Sequence, residues 1–388
     1  AACRSLHGGG GVGRGGGFVV VWWGGVVGAR GGGAPPPPPL YLPQGDNYPE
    51  TLSEWGMLQR ADGFIAPVAE ALPYDLNTPL FTDYAHKLRS VWMPAGTAAS
   101  YGEAHFDYPV GTVLSKTFYY PKDAQGRLLL NEQDDRDPQR GLELARVQLI
   151  ETRILLKQQD GWVALPYVWD EQQQEAHLEW AGDSRQLSLL NAEGKTQAVA
   201  YQVPDANQCA GCHEETAGQG VNPLGPKARH LNKDLAYADG THNQLQHWQQ
   251  QGRLQGVPAE LQGVPQNALW PTPRAGESLE KQARSYLDAN CSHCHNPKGP
   301  GRTSGLLLDP ATAIGISYGL CKQPVAAGKG SGDRLVDIHP GQPDKSVLLF
   351  RVESVDPSIM MPELGRSTVH AEGVDVLQRW VASLQGDC

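Results

Sequence analysis

Residues 278–295 read SLEKQARSYLDANCSHCH, and this stretch decides how the C-terminal part of the chain is built. Ser278 can cap a helix, although Lys281 stands where a complete capping box has Glu or Gln. One face of the following helix would be formed by Leu279, Ala283, Tyr286, Leu287 and Asn290, which recur at helical spacing. The pattern predicts a helix that leads directly into Cys291-Ser-His-Cys-His295.

The pentapeptide C-x-x-C-H occurs twice, at Cys209–His213 and at Cys291–His295. Two thiols at this spacing add to the vinyl groups of haem, and the histidine that follows is placed to bind the iron. A C-x-x-C alone is also typical of zinc sites and disulfides, but repetition of the whole pentapeptide favours haem. The sequence therefore predicts two covalently attached haem c groups, bound by Cys209, Cys212, His213, Cys291, Cys294 and His295.

A second amphipathic pattern lies near the end of the sequence, with Trp380 beside an apolar face formed by Val374, Leu377, Val381 and Leu384. A helix before C-x-x-C-H, intervening loops and a closing amphipathic helix are the layout of a small cytochrome c domain, in which the first and last helices cross and pack. We therefore expect residues 276–388 to form a mainly α-helical cytochrome c domain.

Met361 is the predicted distal iron ligand of the second haem. Met360-Met361-Pro362 follows a long loop and precedes the closing helix, which is where a cytochrome c domain returns its distal methionine. Met361 is preferred because the adjoining proline fixes the backbone next to the ligand, and Met360 would then be a core residue. The alternative is that both methionines are apolar fillers.

The distal ligand of the first haem is a harder choice, because no methionine lies between His213 and the second motif. His230, His242 and His247 do lie there, and we select His247 because it projects beside Leu245 and Trp248 on a short predicted helix. Surface or hydrogen-bonding roles are the alternative for each histidine. The ligand could also come from the preceding region, which offers His86, Met93, His105 and His177, or the iron could be five-coordinate and reactive.

Several other residues have predicted roles around the haems. His293, inside the second motif, is expected to be a solvent-facing spacer. Arg302 and Arg366 are candidates to pair with haem propionates, with a solvated surface position as the alternative. A proline carbonyl is a common acceptor for the proximal histidine N–H. Cys321 and Cys388 would form a disulfide in an oxidising compartment and tie the last helix to the loop.

Residues 46–204 are predicted to consist of strands separated by turns. β-branched and aromatic runs occur at residues 107–121, 146–156, 161–169 and 197–203. They predict an antiparallel β domain, with sandwich or barrel left open. Residues 205–275 are a loop-rich first haem segment with one short helix capped by Asn243. The predicted fold class is α+β multidomain: this β domain, the loop-rich segment and the mainly α domain of residues 276–388.

Residues 1–45 are a signal-like, low-complexity segment. Arg14 precedes the short apolar run Phe18–Val27, and Val27-Gly-Ala29 has the small residues of a cleavage site. The run is too short to span a bilayer, which takes about 20 residues. The alternatives are a stretch foreign to the natural translation product, or a lipid anchor at Cys3. We expect export to the periplasm or cell envelope, because haem attachment independently requires it.

The charge balance argues against nucleic acid as a partner. The formal net charge is −10 with no run of five like charges, whereas a phosphate binder needs clustered Lys and Arg. An acidic surface is typical of a soluble protein that steers basic partners toward itself.

Several further stretches resemble a family of uncharacterised proteobacterial di-haem c-type cytochromes: Pro73–Ala85, Phe106–Thr112, Ile150–Arg153, Ala164–Trp169, Gly225–Arg229 and Met361–Ser367. The resemblance spans about residues 47–385 and implies an exported haem protein. The third region is also similar to the general small cytochrome c domain through Pro340–Ser346, which supports Met361 as distal ligand.

The expected function is electron transfer: two low-spin haems would pass single electrons between periplasmic or cell-surface donor and acceptor proteins. The alternative is a haem-dependent redox enzyme, peroxidase-like or acting on another small molecule, with an open distal site at the first haem. A third possibility is a binding module whose β domain docks to a partner. The large N-terminal region exceeds what a simple carrier needs, and this keeps both alternatives in view.

Overall fold

The computed structural model describes residues 40–388, apart from residues 41, 44, 132, 133, 135, 215, 217, 219 and 326. The predicted export signal and Cys3 lie outside the described residues. The described residues belong to one compact unit that runs to Cys388.

Strands are the main regular structure of the described residues: β1 (Leu58–Ala61), β2 (Phe64–Pro67), β3 (Leu72–Tyr74), β4 (His86–Trp92), β5 (Ala99–Ser100), β6 (Val113–Pro121), β7 (Leu128–Leu129), β8 (Leu142–Glu143), β9 (Val147–Lys157), β10 (Trp162–Trp169), β11 (Ala176–Leu178), β12 (Asp183–Leu190), β13 (Thr196–Val203), β14 (Asp234–Tyr237), β15 (Gly240–Asn243) and β16 (Leu254–Gln255). The α-helices of the same residues are α1 (Ala206–His213), α2 (Ala228–Leu231), α3 (Gln244–Gln250), α4 (Leu279–Asn290), α5 (Val347–Glu353) and α6 (Ala371–Ser383). Short 3-10 helices lie at Ser53–Trp55, Leu261–Gly263, Pro300–Ser304, Ile316–Tyr318, Gly328–Ser331 and Pro343–Lys345.

The largest sheet is antiparallel and has six strands in the order β11-β10-β9-β6-β4-β3. The strands predicted near residues 107–121, 146–156, 161–169 and 197–203 are confirmed as β6, β9, β10 and β13. The helix capped by Asn243 is confirmed as α3, since the Asn243 side chain accepts a hydrogen bond from the Leu245 N–H at 3.1 Å.

The two faces of the six-stranded sheet differ. One face packs on a large apolar core through residues such as Val113, Tyr119 and Leu149. Successive strand residues point to opposite faces, so the other face carries Leu114 and Phe118 in separate apolar clusters, with Lys116 between them. Lys116 is the centre of a cross-strand row in which it pairs with Arg89 on β4 and Arg153 on β9. A strip of cations therefore divides this face.

The predicted fold class is wrong, because the chain is mostly β-sheet and its C-terminal part is not mainly α-helical. In residues 276–388 the helices α4, α5 and α6 span only 12, 7 and 13 residues. The segment between α4 and α5 turns repeatedly at left-handed glycines such as Gly305, Gly319 and Gly332. Glycine and proline interrupt helical hydrogen bonding, and this segment therefore folds as loops and single 3-10 turns.

The predicted packing of the first and last helices of this region is confirmed. Ser278 caps α4 by accepting from the Lys281 N–H at 3.1 Å, and α4 ends at Asn290, one residue before the second motif. Helices α4 and α6 share one buried core formed by Ala283, Tyr286, Leu287, Val376, Leu377, Trp380 and Val381.

A buried carboxylate joins the N-terminal β region to the loop before α6. The oxygens of Asp83, which is 2% exposed, accept hydrogen bonds from the N–H and hydroxyl groups of Ser367 and Thr368, at 2.7–3.1 Å. The loop that contains Met361 is therefore held against the residues that precede β4.

Candidate functional site

The first motif lies on helix α1. Asp205 and Gln208 form a reciprocal capping box at the start of the helix, with bonds of 2.8 and 3.1 Å. The helix is thereby fixed close to the point where β13 ends, and it carries Cys209, Cys212 and His213 over one turn.

The second motif forms a tight turn after α4. The Cys294 carbonyl accepts from the Gly301 N–H at 2.9 Å, so the following loop folds back over the motif. A Cβ at Gly301 would lie 2.9 Å from that carbonyl oxygen, and one at Gly299 would overlap it. Both glycines are therefore required by the close approach of the loop to Cys294.

The histidines of the two motifs are held in the same way. Nδ1 of His213 donates to the Asn222 carbonyl at 2.8 Å, and Nδ1 of His295 donates to the Leu306 carbonyl at 3.2 Å. Within the described chain, neither Nε2 has a hydrogen-bond partner. A histidine whose Nδ1–H is anchored to a carbonyl presents its Nε2 lone pair to a metal. The acceptors here are Asn222 and Leu306 rather than the proline carbonyl we expected.

Both imidazoles are neutral at pH 7, as iron ligands must be. Burial lowers the pKa of His213 to about 3, and the charge of Lys116 acts in the same direction. Burial also lowers the pKa of His295. The thiols of Cys291 and Cys294 have pKa values raised to about 12, chiefly by burial. Thiols with pKa values raised this far are uncharged at pH 7, which argues against a reactive redox dithiol at this motif.

The two motifs open onto adjoining cavities. Two of them are both lined by Cys209, His213 and His293. A third is lined by Cys291, Cys294 and His295, and also by Cys212 of the first motif. The thiols of the two motifs therefore border a common cavity, and the two thiols and one imidazole of each motif fit the residues that hold a haem c group.

Met361 and Met360 occupy different environments, as the sequence analysis expected. Met361 lines both the cavity of His295 and one cavity of His213, whereas Met360 is 8% exposed and lies outside these linings. Arg366 holds the Met361 loop: its guanidinium donates to the carbonyls of Met361 at 2.8 Å, Ser354 at 2.9 Å and Thr368 at 3.0 Å. Arg366 is thus committed to the loop, and Arg302 donates to the Gly299 carbonyl at 3.2 Å.

Sequence reasoning missed the cationic strip of the sheet. Lys116 and Arg153 line both cavities of the first motif. Arg153 is paired with the fully buried Glu151, and Arg89 with Asp75 at 3.0 Å, but Lys116 has neither an ion pair nor a hydrogen bond within the described chain. Burial and the charges of Arg153 and Arg89 lower its pKa to about 7. Lys116 is therefore an unpaired cation suited to an anionic group such as a haem propionate.

His247 does not lie with the first motif. Its ring stacks on Tyr237 at 3.7 Å and lies beside His242 and Asp239, and none of these residues lines a cavity shared with Cys209 or His213. We therefore do not propose His247 as an iron ligand. Instead, His247, His242 and Asp239 together form a possible metal site.

The remaining candidates for the first iron have other contacts. Nε2 of His86 is hydrogen-bonded to the Asn131 carbonyl at 2.6 Å, and Met93 is 1% exposed in an apolar core. His105 and His177 are exposed and line none of the three cavities. His230 lines one cavity, but its Nε2 lies 3.3 Å from the buried carboxylate of Asp288.

Two further expectations can be compared with the structure. The disulfide between Cys321 and Cys388 is present and closes a separation of 67 residues. His293 is 8% exposed rather than solvent-facing, so its expected role as an exposed spacer is wrong. A two-residue spacer gives no periodicity from which its burial could have been read.

Among the described residues, no helix is both long and apolar enough to cross a bilayer. Comparisons with protein-family models, with curated proteins and with solved structures found no match for this chain. The resemblance to di-haem cytochromes therefore stays a prediction.

Proposed function

We propose that the protein is an exported di-haem c-type cytochrome that transfers single electrons between redox partner proteins. The observation that carries the proposal is the shared anchoring of His213 and His295, whose Nδ1 atoms bond to backbone carbonyls while Nε2 remains without a partner in the described chain. Each haem, when bound, supplies an Fe(III)/Fe(II) couple to the protein.

Chain residues would hold and tune the two groups. Cys209, Cys212 and His213 would hold the first, and Cys291, Cys294 and His295 the second, with Met361 as its distal ligand. Histidine with methionine raises a haem potential relative to two histidines. Because Cys212 lines the same cavity as Cys291 and Cys294, electrons would pass directly between the sites inside the protein.

The rest of the molecule is consistent with an exported carrier. The Cys321–Cys388 disulfide is typical of an oxidising compartment. The net charge of −10 suits encounters with basic donor or acceptor proteins, whose rates would fall as ionic strength rises.

Counting covalent haem in protein from the bacterial periplasm tests this proposal. We expect two haems per chain in the wild type, and one in each of the double variants Cys209→Ala/Cys212→Ala and Cys291→Ala/Cys294→Ala. The matched control Cys321→Ser/Cys388→Ser removes two cysteines outside the motifs and should keep both haems. A spectroelectrochemical titration should then resolve two one-electron steps. A wild-type chain that carries no haem under these conditions would refute the proposal.

A further inference from the structure

His293 belongs to the second motif in sequence, but it borders the space around the first. It lines both cavities that contain Cys209 and His213. It also borders the cavity of His295. His293 thus stands where the two attachment sites meet.

The imidazole of His293 is buried, yet neither ring nitrogen has a hydrogen-bond partner in the part of the chain that the structure describes. An imidazole that lines a cavity and has no hydrogen-bond partner in the protein is available to a ligand bound in that cavity.

The other imidazoles on the same cavities are engaged. Nε2 of His230 faces Asp288, and its Nδ1 accepts from the Lys227 N–H at 3.4 Å. His370 stacks on Phe81 at 4.2 Å and bonds to Tyr286. Among the described histidines that line these two cavities, only His293 has no hydrogen bond at either ring nitrogen, since Nδ1 of His213 is bonded to the Asn222 carbonyl.

We propose that His293 would serve, with His213, as the second protein ligand of a haem iron held by the first motif. This inference rests on the proposed di-haem function. The second motif would then supply a ligand to the first site, and that iron would have two histidine ligands. A consequence is a lower potential at the first site than at the His295/Met361 site.

Electron paramagnetic resonance of the oxidised holoprotein tests the assignment. The wild type should show two low-spin haem signals. His293→Ala should convert one of the two signals to high spin, and added imidazole should restore the low-spin signal. His293→Met should keep the low-spin signal but raise the midpoint potential of the first site. The matched control His247→Ala should leave both signals unchanged.

The haem count separates failure of this assignment from failure of the proposed function. Two haems per chain with both low-spin signals intact in His293→Ala would overturn the assignment and leave the function standing. Persistent high spin in the wild type would also overturn it and would indicate an open site. A wild type without haem would instead refute the function.

A different cluster carries a second inference that does not depend on haem. Asp239 lies in the turn between β14 and β15, His242 on β15, and His247 in the first turn and a half of α3. One ligand atom from each lies within 4.8 Å of the others. His247 is 4% exposed, and its Nδ1, like Nε2 of His242, is buried without a hydrogen bond in the described chain.

We infer that these three residues bind one divalent transition-metal ion. Two imidazoles and one carboxylate suit zinc or a similar ion, whereas calcium and magnesium prefer oxygen ligands. Nε2 of His242 is already 3.4 Å from the carboxylate of Asp239. The two imidazole rings are nearly parallel with centroids 5.2 Å apart, so a rotation of the His242 ring would bring its lone pair toward a shared ion.

Calorimetric titration of untagged, chelator-treated holoprotein with zinc tests this site. We expect one zinc per chain in the wild type, and binding at least tenfold weaker in His242→Ala and in His247→Ala. His177→Ala removes an exposed histidine outside the cluster and should bind as the wild type does. Absence of wild-type binding, or equal binding in all variants, would overturn the inference.

Discussion

Replacing Gly373 by alanine should show how tightly helix α6 is pressed against α4. A Cβ at Gly373 would lie 2.5 Å from Cε2 and from Oη of Tyr286, and the ring would have to move about 1 Å to reach normal contact. Tyr286 is buried and bonded to His370, so it has little room to move. Overpacking of this kind costs about 1–3 kcal/mol, against at most about 1 kcal/mol gained from the better helix propensity of alanine.

We therefore expect Gly373→Ala to lower the free energy of unfolding by about 2 kcal/mol in guanidinium denaturation. Gly263→Ala is the matched control, because a Cβ there meets nothing within 4 Å, and it should change stability by less than about 0.5 kcal/mol. In the Tyr286→Leu background the cost of Gly373→Ala should largely disappear. A Gly373→Ala protein as stable as the wild type, or more stable, would refute the close packing of the two helices.

Three further predictions follow from charges and cross-links. Lys116 has a pKa lowered to about 7 by burial and by Arg153 and Arg89, but a haem propionate beside it would favour the charged form. The charged side chain would then favour the reduced state of the proposed first haem. Lys116→Met should therefore lower the midpoint potential of that haem in spectroelectrochemical titrations, and an unchanged potential would exclude this role. Arg366→Met should release the Met361 loop and lower the midpoint potential of the proposed His295/Met361 haem site. Arg302→Met should leave that potential unchanged. Equal effects of the two variants would contradict the assigned role of Arg366. Cys321→Ser/Cys388→Ser should cost about 4 kcal/mol of unfolding free energy, from the 67-residue separation. An unchanged denaturation midpoint would count against that cross-link.

Local sequence patterns predicted local structure well. The cap at Ser278, the helix that runs to Asn290 and the strands β6, β9 and β10 all follow from side-chain periodicity and capping chemistry within a few residues. The sequence also predicted different environments for Met360 and Met361. Met361 was distinguished by the proline that follows it and by the long loop that precedes it.

The remaining features depend on contacts between distant segments. Lys116 meets Arg89 and Arg153 only through the register of three strands, which alternation within one strand does not reveal. His247 was selected by its neighbours on a helix, but its ligand atom lies with those of Asp239 and His242 in the β14–β15 hairpin, and it lines neither cavity of the first motif. The prediction that residues 276–388 form a mainly α-helical domain was wrong for a related reason. The helices at the two ends of this region were predicted correctly, but they do not determine the structure of the loops between them.

The common cavity bordered by Cys212, Cys291 and Cys294 has a consequence for how the protein is made. Buried thiols with raised pKa values hold little thiolate, so in the folded chain they react slowly and are poorly reached by any enzyme. If two haems are attached as proposed, their attachment would therefore precede the closure of α4, α6 and the sheet around the motifs. Synthesis delivers the first motif 82 residues ahead of the second, so a first haem could be attached before the second motif completes the cavity.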